Sequence, residues 1–341
     1  MLKGFTSQLN SNIDFLNIIF MIVSLIIAII IPFELFLFSY AVLGPLHYLT
    51  EINWLKNKNY FMQANIKYAL ILLAFTILIS IAPIINFLDF DLNITSQRIL
   101  DLLSRNSGTL LLSAFLFSIG LLFYKSKKTL LSLLVVIGIV VFLATKFLQD
   151  LFLYIVVFLP TIIHVYLFTL LFILFGSIKS KSKTGIYSVL VLAAIPFVIS
   201  FLPRELLTLT KPSIETIDTF LSSNFATVSA NIAKLSGSLE NDNFAVISEI
   251  GIKIQIFIAF AYTYHYLNWF SKTSIIGWGK TISKQKLFWI LFIYILSIGI
   301  YLYDYKTGLI ALFFLSYLHV FLEFPLNAFT IKSLIGMIKK N

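Results

Sequence analysis

Runs of roughly twenty apolar residues, each long enough to cross a ~30 Å hydrocarbon core as a helix, recur along all 341 residues and are separated by short clusters of lysine. This pattern constrains the fold more than any motif does. Hydrophobic residues make up 59% of the chain and charged residues 12%, about half the charge of an ordinary soluble domain. A soluble domain has no means of covering that much apolar surface, whereas lipid removes the need to cover it. The expected fold class is all-α, a polytopic transmembrane helix bundle forming a single integral membrane domain over residues 1–341.

Apolar runs between charges predict ten spans, at about 14–31, 33–52, 64–86, 109–124, 129–146, 150–176, 185–203, 249–271, 286–304 and 307–327. The first two are nearly continuous. A single helix over them would be about 54 Å long at 1.5 Å per residue, too long for one crossing, so the chain is expected to break and re-enter near Pro32. The run from Phe15 to Ile31 exceeds the apolar core of a cleavable signal, and no small-residue cleavage site succeeds it.

Basic residues orient the bundle. With an even number of spans, seventeen of the 25 lysines and arginines fall on the side of the termini, including the clusters Lys125/Lys127/Lys128, Lys179/Lys181/Lys183 and Lys280/Lys284/Lys286. That asymmetry predicts both termini in the cytoplasm. It also accounts for the net charge of +10 without nucleic acid, for which the chain offers no basic helix or stacking platform. Two external loops are longer than connectors, 87–108 and 204–248. Within the second, Ile214, Ile217, Leu221, Phe225, Val228, Ile232, Leu235 and Leu239 recur at helical spacing and predict an amphipathic helix. The run Thr330–Lys340 is expected to lie at the cytoplasmic interface.

The chain has no cysteine, which excludes disulfides, thiolate metal sites, iron–sulfur clusters and cysteine nucleophiles. It has no P-loop, dinucleotide-binding glycine motif or serine-hydrolase elbow. Its four histidines are therefore conspicuous. His47, His164, His265 and His319 lie in four different expected spans, the second, sixth, eighth and tenth. They precede the next lysine on the cytoplasmic side by nine, fifteen, seven and thirteen residues, which places them about 10–22 Å from that boundary at helical rise. One intramembrane histidine is readily a hydrogen bond to a neighbouring helix. Four in one layer, with none elsewhere, point to a metal, because imidazole is the commonest metal ligand and bundles build such sites from facing helices.

Glu51 lies four residues after His47 and Glu323 four residues after His319, so each pair shares a helix face. These carboxylates would orient a ligating imidazole or bind the metal directly, the latter permitting two ions. Tyr264, beside His265, joins Glu51 and Glu323 as a candidate catalytic group. Pro160 is expected to bend the helix that carries His164. Tyr48, Tyr166, Tyr264, Tyr266 and Tyr317 flank the histidines and read as interfacial belt residues.

The set His47, His164, His265 and His319, with Glu51 and Glu323 in buried runs, resembles the centre of carotenoid-cleaving oxygenases, and in size and apolar character the chain resembles their membrane-embedded bacterial branch, the Brp/Blh family of β-carotene dioxygenases. The stretch Pro45–Glu51, P-L-H-Y-L-T-E, stands nearest to the family's P-H-G-type signature and departs from it. The resemblance implies a non-haem Fe(II) held by the four histidines, glutamates around them, a carotenoid- or lipid-like substrate reached from the bilayer, and a bacterial inner membrane. The residues themselves also admit zinc, copper or haem ligation, and a second function, a proton-coupled transporter working through intramembrane His/Glu pairs.

Overall fold

The computed structural model describes residues 2–58, 66–239, 244–273 and 282–339. Lys280 and Lys340 of the basic-residue pattern lie outside them. Every regular element is a helix, with no strand among the described residues. Among the same residues, eight helices are long and apolar enough to cross a membrane: Asn12–Ile30, Pro32–Leu55, Ala69–Leu88, Lys127–Phe147, Gln149–Ser180, Lys183–Ser200, Lys284–Tyr303 and Tyr305–Ile338. This is the architecture of an integral membrane protein.

The two other stretches expected to span are also helical. Ser107–Phe123 has seventeen residues and succeeds Ile94–Arg105 at a bend of 56°. Glu249–Lys272 carries Gln255, Thr263, His265 and Asn268, all buried. A helix enclosed by protein need not be apolar on every face, which is why it falls short of the composition of a lipid-facing span.

The expected break near Pro32 is present. Ile31 leaves helical geometry (φ −134°, ψ 60°), and Pro32 opens the next helix, where its missing N–H costs nothing. Two wide π turns occur further along the chain, at Ser39–Leu43 and Leu159–Phe168. In the first, the Gly44 N–H donates to the Ser39 carbonyl five residues back. A proline accompanies each turn. Pro45 has no N–H for the Ala41 carbonyl and Pro160 has none for that of Val156, so each proline permits the ladder to widen locally.

The chain divides into two compact units, residues 1–47 with 161–306, and residues 48–160 with 307–341. In the first unit Glu249–Lys272 is central, with fourteen of its 24 residues buried. It packs along Leu2–Ile30 and Pro32–Phe38. Buried polar bonds tie these elements: Asn17 Nδ2 donates to Ser271 Oγ (3.0 Å), and Ser39 and Thr263 hydroxyls meet at 2.7 Å. Ser182 donates to Asp14 Oδ2 (2.6 Å) and caps the helix Lys183–Ser200 by accepting from the Gly185 N–H. A Cβ at Gly185 would strike Ser177, so only glycine permits that approach. The stretch 214–235 forms two helices, Ile214–Ser222 and Ala226–Leu235, separated by Asn224 at φ 60°. The break resets the helical phase. Phe220, Ser229 and Ala233 become buried positions, while Ile214, Leu221 and Leu235 are exposed.

In the second unit, Ala69–Leu88 ends at Asp89 in the left-handed region (φ 50°). Asn93 Oδ1 then accepts from the Ser96 N–H (2.9 Å) and starts Ile94–Arg105, so much of the stretch 87–108 is helical. Ser107–Phe123 packs against Lys127–Phe147 and Ala69–Leu88. Phe115 holds Phe321 and Phe324 of the last helix at ring distances of 5.1 and 4.5 Å.

Candidate metal centre

All four histidines and both glutamates are buried, none more than 6% exposed. Among the described residues, buried histidine and glutamate ligand atoms lie close enough together to hold a metal ion; His265 is not in those groups.

In the first unit, His47, His164 and His265 converge. His47 lies on Gly44–Lys58 immediately after the first π turn, and His164 lies within the second. The extra residue in a π turn shifts the phase of the succeeding helix by about 100°, which decides where each imidazole points. His265 comes from the buried helix Glu249–Lys272. Its Nε2 stands 3.2 Å from His47 Nε2, with ring centres 4.8 Å apart and steeply tilted at 72°. The His164 ring centre lies 5.0 Å from that of His265.

The far side of His265 is held as well. Thr169 Oγ1 lies 2.8 Å from His265 Nδ1 and donates its single proton to the Val165 carbonyl (2.9 Å). With that proton committed, the hydroxyl oxygen must accept from Nδ1–H. This pattern favours the Nδ1–H tautomer of His265, whose Nε2 lies within hydrogen-bond distance of His47 Nε2. This is the arrangement in which a second partner orients a metal-binding imidazole. Thr169 was not among the expected site residues; its only sequence signal is a hydroxyl five residues after His164.

Three of the five flanking tyrosines are buried and so are not belt residues. Tyr48, Tyr264 and Tyr266 are 3%, 1% and 1% exposed. Tyr264 turns away from the imidazoles: its hydroxyl donates to Asn17 Oδ1 (3.4 Å) and its ring stacks on Phe260. Tyr266 packs against the imidazoles of His47 (5.1 Å) and His265 (5.5 Å), and Trp269 closes on His47 at 5.6 Å. Helical positions two apart point about 160° from each other, so only one of Tyr264 and Tyr266 can face the cluster.

In the second unit, His319 lies close to both glutamates. Its ligand atoms lie within 4.8 Å of a carboxylate oxygen of Glu51 and within 4.8 Å of one of Glu323. Tyr48 stacks on His319 with ring centres 4.3 Å apart and planes 23° from parallel, fixing the imidazole plane. Glu51 lies one turn beyond His47 on the helix Gly44–Lys58.

A cleft of about 420 Å³ opens in the first unit among Phe33, Thr210, Pro212, Ser213, Ile214, Ile217, Asp218, Ile247 and Ile252. From Phe33 a series of rings leads to the histidines. Phe33 contacts Phe220 (5.2 Å), Phe220 contacts Phe36 (6.0 Å), and Phe36 contacts Tyr262 (5.1 Å). Tyr262 then contacts Tyr266 (6.3 Å), which reaches His47. No protein family model, curated protein or solved structure matches this chain.

Proposed function

We propose that this protein is a membrane-embedded metalloenzyme, a non-haem iron oxygenase acting on a lipophilic substrate, with His47, His164 and His265 as the core of its metal site. The observation that carries the proposal is the pair of Nε2 atoms at 3.2 Å, one of them on an imidazole whose Nδ1 meets the Thr169 hydroxyl at 2.8 Å. Two imidazoles bound to one ion at about 2.1 Å, with an angle between about 90° and 110°, place their nitrogens about 3.0–3.4 Å apart. Neutral imidazoles suit iron, copper, zinc and nickel. Iron(II) would supply the activation of dioxygen that an unfunctionalised hydrocarbon needs.

The protein's own residues would exclude water and position the substrate. Tyr266 and Trp269 wall the imidazoles with apolar ring faces. The cleft at Phe33, of a size typical for small-molecule sites, would be the entry, and the packed rings beyond it would have to part for a hydrocarbon chain to reach the imidazoles. His319 with Glu51 and Glu323 offers the same kinds of donor in a second group. In this reading it is a further metal position or an acid–base group. The basic-residue asymmetry supports a reading with both termini in the cytoplasm.

The test is elemental analysis of detergent-purified protein prepared without a metal-affinity tag, beside His265→Gln and His47→Ala variants. About one or two transition-metal ions per chain, lost in either variant that still elutes as a monodisperse species, is the expected result. Absence of metal after anaerobic repletion with Fe(II) refutes the reading. Oxygen consumption with a polyene in detergent then tests the oxygenase assignment. One observation favours a second reading: the buried carboxylates Glu51 and Glu323, each close to His319, are what a proton-coupled transporter carries. A metal-free protein that acidifies proteoliposomes on adding a solute would establish it.

A further inference from the structure

Beyond Glu323 the last helix does not become apolar inside. His319, Glu323, Asn327 and Thr330 succeed one another at spacings of four, four and three, which puts them on one stripe of the helix Tyr305–Ile338. They are 3%, 2%, 1% and 1% exposed. The side chains at 327 and 330 stand out. Neither the Nδ2 nor the Oδ1 of Asn327, nor the Oγ1 of Thr330, has a hydrogen-bond partner among the described residues. Helical threonines commonly return their proton to a backbone carbonyl one turn back. Thr76, Thr169 and Thr263 do so, to Leu72, Val165 and Ala259, but Thr330 does not. Pro325 lies between Glu323 and Asn327 and, having no N–H, leaves the Phe321 carbonyl without its intrahelical donor.

A buried amide or hydroxyl without a partner costs about 1–3 kcal/mol, and buried polar groups of this kind are ordinarily satisfied by ordered water. Here they form a series. Successive members are about 4.5–6 Å apart along the axis, a gap that one water closes with two hydrogen bonds of about 2.8 Å. The series runs for about 16 Å along the axis from His319 to Thr330. It ends where the helix surfaces: Ser333 is half-buried, and Lys332 is exposed with its ammonium 4.8 Å from the Phe123 ring. The opposite flank at the same level is apolar and outward-facing, with Phe329 37% and Ile331 39% exposed.

We propose that this stripe is a one-sided water path through the second unit, in which Asn327 and Thr330 connect the His319–Glu323 group to the face where the last helix ends. It gives a group enclosed in an apolar bundle a supply of water, from one side of the membrane only. The path stands whether the buried group holds a metal or not.

The absence of native cysteine makes the path directly readable. Thr330→Cys, Asn327→Cys and Phe329→Cys are made singly in the full chain, in sealed membrane vesicles of each orientation. Thiols are exposed to Ag⁺, an ion small enough for a water path, and those left unreacted are labelled with a maleimide after denaturation. Cysteines at 330 and 327 should react at least about tenfold faster than at 329, and from the side of the C-terminus only. Rapid thiol reaction requires water, so the lipid-facing 329 position reports the dry background. Unreactive thiols at both 327 and 330 overturn the proposal, as do equal rates at 327, 329 and 330, which would mean a generally wet helix end. Thr330→Cys changes the side chain least and keeps the test decisive if Asn327→Cys does not fold. Folding is scored by gel-filtration profile and thermal midpoint, neither of which depends on the path.

Discussion

Thr169→Val is the sharpest probe of the metal reading, because it removes one oxygen while keeping the shape of the side chain. Thr169 is 2% exposed, accepts from His265 Nδ1 at 2.8 Å and donates to the Val165 carbonyl at 2.9 Å. With valine there, Nδ1–H loses its acceptor inside the bundle. The imidazole must then carry an unpaired donor, at a cost of about 1–3 kcal/mol, or move its proton to Nε2, the atom that faces His47. Either change penalises the ligating form. Loss of such an orienting partner typically weakens metal affinity about 10–100-fold, which is about 1.4–2.7 kcal/mol. The assay is titration of metal-stripped protein with Co(II), followed by its visible absorption under anaerobic conditions. Thr169→Val should bind in that weakened range, and Thr169→Ser, which keeps the hydroxyl, should bind within about threefold of the native protein on the same scale. Native affinity in Thr169→Val would refute the argument that this hydroxyl sets the tautomer. Equal weakening in Thr169→Ser would show that packing, not the hydrogen bond, is at work.

Local geometry makes two further predictions. Tyr266→Ala should lower metal content or affinity by opening the wall beside His47 and His265, whereas Tyr264→Phe should leave it unchanged, because that hydroxyl serves Asn17; metal analysis of both variants decides which tyrosine belongs to the site. Gly185→Ala should destabilise the protein by about 1–3 kcal/mol through overpacking against Ser177. Gly138→Ala, with nothing within 4 Å of the added carbon, should be neutral or stabilising by up to about 1 kcal/mol from helix propensity. Thermal unfolding in detergent separates the two.

The membrane-helix class, the approximate positions of the spans and the break at Pro32 were legible in the chain because lipid imposes a one-dimensional rule: a span must be apolar over about twenty residues wherever it sits in the bundle. The same rule makes an intramembrane histidine or glutamate conspicuous, so His47, His164, His265, His319, Glu51 and Glu323 could be picked out as buried groups before any packing was known. It fails for a helix shielded by other helices. Glu249–Lys272 is helical where expected, yet with Gln255, His265 and Asn268 buried along it, its composition no longer reports on lipid.

What the chain could not disclose is direction. Whether Tyr264 or Tyr266 faces the imidazoles depends on the rotation of one helix about its axis, and Thr169 reaches His265 across a separation of 96 residues. The aim of His47 and His164 depends on π turns beside Pro45 and Pro160. Pro83, Pro196 and Pro325 sit inside ordinary α-helices, so proline permits a wide turn without dictating one. Burial in lipid selects residue types along an axis. The azimuth of a side chain, and therefore which groups meet, is set by helix-on-helix packing, and that was decided only in the tertiary structure.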